Sequence, residues 1–598
     1  MKFLFCFFCL CTATIDSFAQ KTVAQQNDIT HHRPPDFEYW SAFDSAGAKC
    51  LLKSPSLDRT QQMKLPYPIL FVHGLGSKSS TWDSTTNFMD SQYGFTYGGR
   101  FDFCLNFDGN NTTTNKNFYP VAGADLALFT PNLIAGDYYY VNFSVGSDGS
   151  VYPTSSDAGY VLSEQQAIVK QGAALSQAIY KVLQKTGRDK VILMGHSMGG
   201  LASREYIQNP VNWQSDGKHH VAKLVTTGTP HGGSNSTSCG LPVSDVDEQS
   251  EAMRDLRRTY YYSNDSGVYL YGGLEFQDNN LHMDDNSTYS GIDFYNVDVN
   301  CNGITGENII GLNHKSISSD LDFACIIGEC DGCLDGTDPS DGVVRSDCAN
   351  LKNYYNLNAN QVFNLFYFNS SGTVEIHTDL PMQNYQNMQG LDEPNEYVLA
   401  YHIDFDTLYS GFITVQPAGG YPYDYDDFKF SVSEPSKLSI SIGNINLLDL
   451  VARIIDATGN VVGSIVHSDG GATINFSQEV NAGDYFLEIY GVPTSISYLS
   501  PYNFKVQKTS VVSVTENSEN TGKITLYPNP VKNQLTIDIE DPAEILNVEI
   551  LNLLGQIVYR STFLNTKTII NTSQFPEGVY IIKFDSDKFR TIRKFVKE

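Results

Sequence analysis

The sequence predicts an α/β fold with a doubly wound, mostly parallel sheet, followed by two small all-β sandwiches. Short apolar runs at residues 69–72, 191–194 and 221–227 have the length and character of buried parallel strands, and each leads into a glycine-rich turn. The second of them breaks straight into Gly195-His196-Ser197-Met198-Gly199, with a helix-forming stretch behind it. After about residue 392 the pattern changes to polar and apolar residues in alternation, punctuated by glycine, which is how half-buried strands of a sandwich read.

The pentapeptide Gly195–Gly199 is G-x-S-x-G in the setting its chemistry needs, strand before and helix after. So sharp a turn holds a serine at its apex with the hydroxyl presented, and a β-carbon two positions to either side would collide with neighbouring backbone. The new helix points its first N–H groups at the place where an oxyanion would form. Ser197 is therefore the candidate nucleophile. Upstream, strand 69–72 ends in His73-Gly74-Leu75-Gly76, a turn that supplies a second backbone donor. The N–H groups of Leu75 and Met198 are the candidate oxyanion hole, and His73 is read as a hydrogen-bonding residue of its turn.

A chain of 598 residues exceeds one core and suggests roughly three to four domains. Its formal net charge of −28 argues against nucleic acid and against docking on anionic membranes. Lys2, an apolar run and Ser17-Phe18-Ala19 read as a signal peptide over residues 1–19, and no later run reaches the ~20 residues of a transmembrane helix. Cleavage leaves eight of the 11 cysteines (Cys50, Cys104, Cys239, Cys301, Cys325, Cys330, Cys333 and Cys348), which in an exported chain read as disulfides. Cys330-Asp331-Gly332-Cys333 could form half a zinc site, but no partner pair stands at the required spacing.

Along the chain, residues 20–63 are polar and irregular. Ser163-Glu164-Gln165-Gln166 reads as a capping box that opens a helix over 163–186, with Gly187 as its stop. The helix after Ser197 is expected to run to Gln208, where Asn209-Pro210 ends it. The strand 221–227 then leads into Gly228-Thr229-Pro230-His231-Gly232-Gly233.

Together, His73-Gly74-Leu75-Gly76, Gly195-His196-Ser197-Met198-Gly199-Gly200 and Thr227-Gly228-Thr229-Pro230-His231-Gly232-Gly233 resemble the secreted lipases and esterases of the α/β-hydrolase superfamily. The resemblance implies a Ser…Asp…His order, which makes His231 structural and puts the base further on. Asp338-Pro339-Ser340-Asp341-Gly342-Val343-Val344 resembles the family's acid-bearing loop and points to Asp341. Val374-Glu375-Ile376-His377 delivers a histidine into a loop, which points to His377 as base. Asp338 and His402 stand as alternatives for acid and base. The implied activity is hydrolysis of carboxylic esters, lipids foremost, with no cofactor required. The rival acyl chemistries are a short-chain or polysaccharide-deacylating esterase, an amidase and a transacylase; from another class comes a non-catalytic surface adhesin.

The hydrolase domain is expected over 20–392, with an insertion around 234–335 that is either a lid over an acyl cleft or a disulfide-stapled excursion. Asp331, Asp335, Asp338 and Asp379 are oxygen donors of the kind Ca²⁺ uses, and Asp379 is the position where some calcium-stabilised bacterial lipases carry a ligand. Residues 393–508 resemble a pre-peptidase C-terminal accessory domain, and 509–521 read as a linker. Leu526-Tyr527-Pro528-Asn529-Pro530-Val531, with the later Gly578-Val579-Tyr580 strand and a basic end, makes 522–598 resemble the C-terminal sorting domain of type IX secretion. That resemblance implies passage across an outer membrane, removal of the domain, and release or surface attachment.

Overall fold

The structure, a computed structural model, describes residues 64–106, 125–129, 132–152, 162–234, 250–256, 311–330, 339–355, 362–369, 376–414, 424–510 with three short breaks, and 524–598 with three more; of residues 37–41, 261–263 and 266–268 it describes the backbone course. The expected signal peptide, the linker 511–523, Cys333 and most of the expected insertion lie outside the described residues.

One nine-stranded sheet organises the part of the chain before the sandwich. Its strands are β1 (Phe37–Ser41), β2 (Ile69–Val72), β3 (Tyr97–Cys104), β4 (Asp125–Phe129), β5 (Tyr138–Asn142), β6 (Val191–His196), β7 (Val221–Thr227), β10 (Asp322–Cys330) and β11 (Val362–Asn369). A separate ribbon pairs β8 (Tyr261–Ser263) with β9 (Ser266–Val268). The order is β1-β4-β3-β5-β2-β6-β7-β10-β11. Every neighbouring pair from β3 to β11 is parallel, while β4 and β1 close the other edge antiparallel. The apolar runs form these strands because a parallel sheet is covered on both faces. Within the stretch read as an insertion, β10 is an interior strand of this sheet, and β1 comes from the lead-in that gave no legible pattern.

The helices are α1 (Asp83–Tyr93), α2 (Ile168–Thr186), α3 (Met198–Gln208), α4 (Glu251–Leu256), α5 (Ser346–Ala349) and α6 (Asn384–Gly390). Helix α3 ends at Gln208 as expected, and Gly187 stops α2 in a left-handed cap. The start of α2 is not the expected capping box. Ser163–Gln165 is a separate 3₁₀ turn, and the Ser163 hydroxyl accepts from the Leu105 amide at 2.8 Å. The amides of Ala167 and Ile168, which lack intrahelical acceptors, are instead met by Glu251 Oε2 at 2.8 Å and Asp255 Oδ2 at 2.9 Å, both from α4. Two carboxylates at a helix N-terminus outdo one hydroxyl, because they answer both the unpaired donors and the helix dipole.

The two sheet faces are covered differently. One packs Leu70, Val72, Leu193 and Leu224 against Ala174, Ala178, Ile179 and Val182 of α2 and Ala202 and Tyr206 of α3. The other packs Phe71, Met194, Val225 and Ile326 into a core that continues without a break into the accessory sandwich, through Tyr401, Phe412, Phe428, Leu487 and Phe504. That sandwich consists of β12 (Tyr401–His402), β13 (Tyr409–Ile413), β14 (Tyr425–Val432), β15 (Ser436–Gly443), β16 (Leu450–Asp456), β17 (Val461–His467), β18 (Ile474–Val480), β19 (Gly483–Gly491) and β20 (Ser497–Ser510). They form one sheet in the order β12-β14-β19-β16-β17 and another in the order β13-β20-β15-β18. The nine-stranded sheet and the sandwich thus belong to one compact unit, Met1–Thr509, and Ser510–Glu598 makes a second.

The second unit holds β21 (Ile524–Tyr527), β22 (Gln534–Ile539), β23 (Leu546–Leu551), β24 (Ile557–Phe563), β25 (Lys567–Asn571), β26 (Gly578–Asp585) and β27 (Arg590–Lys597). Sheets β21-β22-β25 and β24-β23-β26-β27 enclose Leu535, Ile537, Val548, Ile550, Ile582 and Phe595.

The expectation that all eight remaining cysteines pair is corrected at Cys325, a free thiol inside β10. It is buried with Leu224 and Val344 in the α2-side core, and burial raises its pKa, so it behaves as a small apolar side chain. Cys104 likewise carries a thiol hydrogen, donated to Asn106 Oδ1 at 3.4 Å.

Candidate active site

Strand β6 runs into α3 through Ser197, whose backbone sits at φ 53° and ψ −128°. Such a conformation is strained for a residue with a β-carbon and persists only where packing enforces it. The glycines around it do so. A β-carbon on Gly195 would lie 2.4 Å from the Gly200 nitrogen, and one on Gly199 would lie 2.5 Å from the Val72 carbonyl oxygen. Gly74 presses on the serine itself, since a β-carbon there would fall 2.6 Å from Ser197 Cβ and 3.2 Å from its Oγ. Leu75 follows directly after that contact. Met198 heads α3, where the first amides have no intrahelical acceptor.

Asp341 and His377 meet. His377 Nδ1 lies 2.7 Å from Asp341 Oδ2, with both residues buried. The other carboxylate oxygen, Oδ1, accepts the amides of Val343 at 2.9 Å and Val344 at 2.7 Å, so the Asp-Gly-Val-Val turn folds around its own aspartate. The Asp341 carbonyl in turn accepts the amides of Ile376 and His377 at 2.9 and 3.1 Å. Three bonds therefore tie the two loops together, and the imidazole has a fixed face. An Nδ1–H donated to carboxylate leaves Nε2 as the basic nitrogen. Gly228, at φ 57°, caps the pair: a β-carbon there would stand 3.0 Å from both Asp341 Oδ2 and His377 Nδ1.

His196, the residue before Ser197, links the elbow to this pair. Its Nε2 lies 2.9 Å from the His377 carbonyl oxygen, and its ring packs on the His377 ring at 4.8 Å between centroids. Trp82 closes its other side edge-on at 6.4 Å. Sequence reasoning passed over His196 as a variable position of the motif; nothing local marks a residue whose partner is 181 positions away.

The remaining histidines fall into place. His73 Nε2 accepts the Phe143 amide at 2.9 Å, so its Nδ1–H donates to the Gly74 carbonyl, also at 2.9 Å. It serves its turn, as expected. His231 is buried between Arg204 and Thr226, each 3.2 Å away. Burial lowers the pKa of all three of His73, His196 and His231, with His73 near 4, and keeps them neutral. His402 is exposed on β12 and pairs in register with Lys429. Asp338, Asp331 and Asp335 lie outside the described residues, and Asp379 is half-buried in the 3₁₀ turn His377–Met382.

Three family models match the chain in order: a PGAP1-like alpha/beta domain over residues 66–239, a bacterial pre-peptidase C-terminal domain over 424–491, and a secretion system C-terminal sorting domain over 525–598. An endo-acting ulvan lyase of Formosa agariphila is 30% identical over 129 residues, which is 21% of this chain and 25% of that protein; the chain thus matches a quarter of that relative's length. Among solved structures, a lipase-esterase related protein from Clostridium acetobutylicum aligns at 10% identity over 58% of this chain and 95% of its own, with a TM-score of 0.24. The pre-peptidase C-terminal domain of a Bacillus anthracis collagenase aligns at 19% identity over 19% of this chain and 99% of its own, with a TM-score of 0.16. Among the described residues no helix is long and apolar enough to cross a membrane. The chain joins a PGAP1-like alpha/beta domain to a pre-peptidase C-terminal domain and a sorting domain that directs it through type IX secretion to the cell surface or the extracellular space.

Proposed function

We propose that this protein is a secreted serine hydrolase of carboxylic esters, with lipid esters as its substrates. Ser197 attacks the acyl carbonyl while His377 Nε2 takes its proton and later returns it to the leaving alcohol. Asp341 holds the Nδ1–H and stabilises the imidazolium that forms. The amides of Leu75 and Met198 receive the oxyanion, where losing one donor costs ~10²–10³ in rate. The observation that carries this reading is the 2.7 Å bond between His377 and Asp341, held to the strand-to-helix elbow by His196, the residue before the strained Ser197, whose Nε2 lies 2.9 Å from the His377 carbonyl oxygen. A fold by itself does not fix chemistry, so the reading rests on the named groups of the site.

The test is hydrolysis of p-nitrophenyl esters from acetate to palmitate and of a triglyceride emulsion, with Ser197→Ala alongside. Activity that rises with chain length and on the emulsion, and is lost in Ser197→Ala, is the expected result. Activity restricted to short chains would replace the lipid assignment with a short-chain esterase. Equal rates for wild type and Ser197→Ala would overturn the serine mechanism.

A further inference from the structure

Four carboxyl groups that this chemistry does not use meet where the catalytic part joins the sandwich. Asp392 and Glu393 follow α6, Asp424 precedes β14, and Asp426 belongs to it. All four are buried. One carboxylate oxygen from each of Asp392, Asp424 and Asp426 lies within 4.8 Å of the other two. Two of the groups are oriented by their far oxygens: Asp424 Oδ2 accepts the Thr414 amide at 2.7 Å, and Asp426 Oδ2 accepts the Tyr502 hydroxyl at 2.5 Å. The remaining oxygens Asp392 Oδ1, Glu393 Oε2, Asp424 Oδ1 and Asp426 Oδ1 have no hydrogen-bond partner. Lys223 faces the group from β7, but its ammonium is held by Asp322 Oδ2 at 2.7 Å and by the Asp392 carbonyl at 2.6 Å. One lysine that already has its own aspartate does not neutralise four more carboxylates.

Buried anionic oxygens without partners are among the costliest arrangements a fold can hold, unless a cation or a proton satisfies them. We propose that this junction is a divalent-cation site, with Ca²⁺ bound by Asp392, Asp424 and Asp426, Glu393 beside them, and that the ion fastens the sandwich to the catalytic part. The donors are all carboxylate oxygens, which selects a hard cation over zinc or copper. Mg²⁺ holds on to several of its waters, whereas Ca²⁺ accepts a dry, irregular set of oxygens. Ligands oriented by a hydroxyl and an amide behind them are what a metal site uses to fix its geometry. The rival state is protonation, since burial pushes Asp424 up to about 6 and Glu393 up to about 8, with Asp392 and Asp426 also raised.

The experiment uses the full chain, stripped with chelator and titrated with CaCl₂ alone near neutral pH by calorimetry and thermal unfolding. One Ca²⁺ per chain, protons released on binding and a Tm raised by several degrees are expected. Asp424→Asn and Asp426→Asn should each lower the affinity by more than the ~10–100-fold that loss of a supporting outer group costs. Asp379→Asn should leave the response intact. No uptake at millimolar Ca²⁺, or an undiminished response in both junction variants, would overturn the proposal. So would loss of the response in Asp379→Asn alone, which would put the ion beside the catalytic loop. If the junction variants fail to fold, wild-type crystals soaked in Tb³⁺ decide: an anomalous peak among the three aspartates is expected, and its absence there refutes the site.

Discussion

At the residue scale, the catalytic corner is built by what cannot fit as much as by what reacts. Gly228 stands where any β-carbon would push against the Asp341–His377 pair, at a backbone angle that side chains resist. Gly228→Ala is expected to cost ~1–2 kcal/mol of stability from backbone strain and, by displacing the imidazole, up to ~10²-fold in kcat. Ester kinetics and urea unfolding of the same variant separate the two. The buried histidines set the response to acid. His73, His196 and His231 are neutral in the folded protein, with pKa values below the ~6.5 of an unfolded histidine. Below pH ~6.5 the unfolded chain therefore binds more protons than the folded one. Stability is complete above that pH and falls as pH drops towards the folded value of His73, about 4, by up to ~1.4 kcal/mol per pH unit for each such group. His231→Gln removes one of the three and should flatten the fall in urea-unfolding stability between pH 6.5 and 5 by about one proton. An unchanged slope would mean that His231 takes up no proton on unfolding.

At the element scale, helix periodicity and stop signals were readable in α2 and α3, because a helix's apolar stripe and its terminating glycine or Asn-Pro are local facts. The start of α2 was not, because its cap comes from α4, more than 80 residues on. Glu251 also pairs with the buried ammonium of Lys170 at 3.1 Å. Glu251→Gln should thus destabilise the fold by more than the ~1 kcal/mol of an ordinary cap, since it also removes the carboxylate that faces a buried ammonium and leaves that ammonium its 2.7 Å bond to Gln166 Oε1. Equilibrium unfolding of Glu251→Gln beside Ser163→Ala measures the contrast. A capping-box role for Ser163 would instead cost a cap's worth of helix stability at α2.

At the scale of the whole molecule, the sandwich is part of the catalytic unit rather than a tethered accessory. Its Phe428, Leu487 and Phe504 share one core with Phe71, Met194 and Ile326 of the sheet. A chain ended at residue 392 would leave that face of the sheet uncovered and is expected to aggregate or unfold. A chain ended at 510 keeps the first compact unit whole and should match the full chain in ester kinetics and in the Tm of its main transition. Solubility and calorimetry of the two truncations test this. A folded, active 392-residue chain would mean that the shared core is dispensable.

Elements whose cause is local could be read from the order of residues. Apolar runs became parallel strands, Gly195 to Gly199 became an elbow with its serine at positive φ, and the alternating tail became sandwiches, since each depends on neighbours within a few residues. The Asp341 turn was legible for the same reason, because its carboxylate accepts amides two and three residues on. Other features arise only on folding, because they depend on segments far apart in the chain. The packing of His196 on His377, the continuous core under the sheet and the four buried carboxyl groups of the junction all belong here. Nothing in the residue order marks Asp392, Glu393, Asp424 and Asp426 as one buried group, because their burial is imposed by segments that meet only in the folded unit.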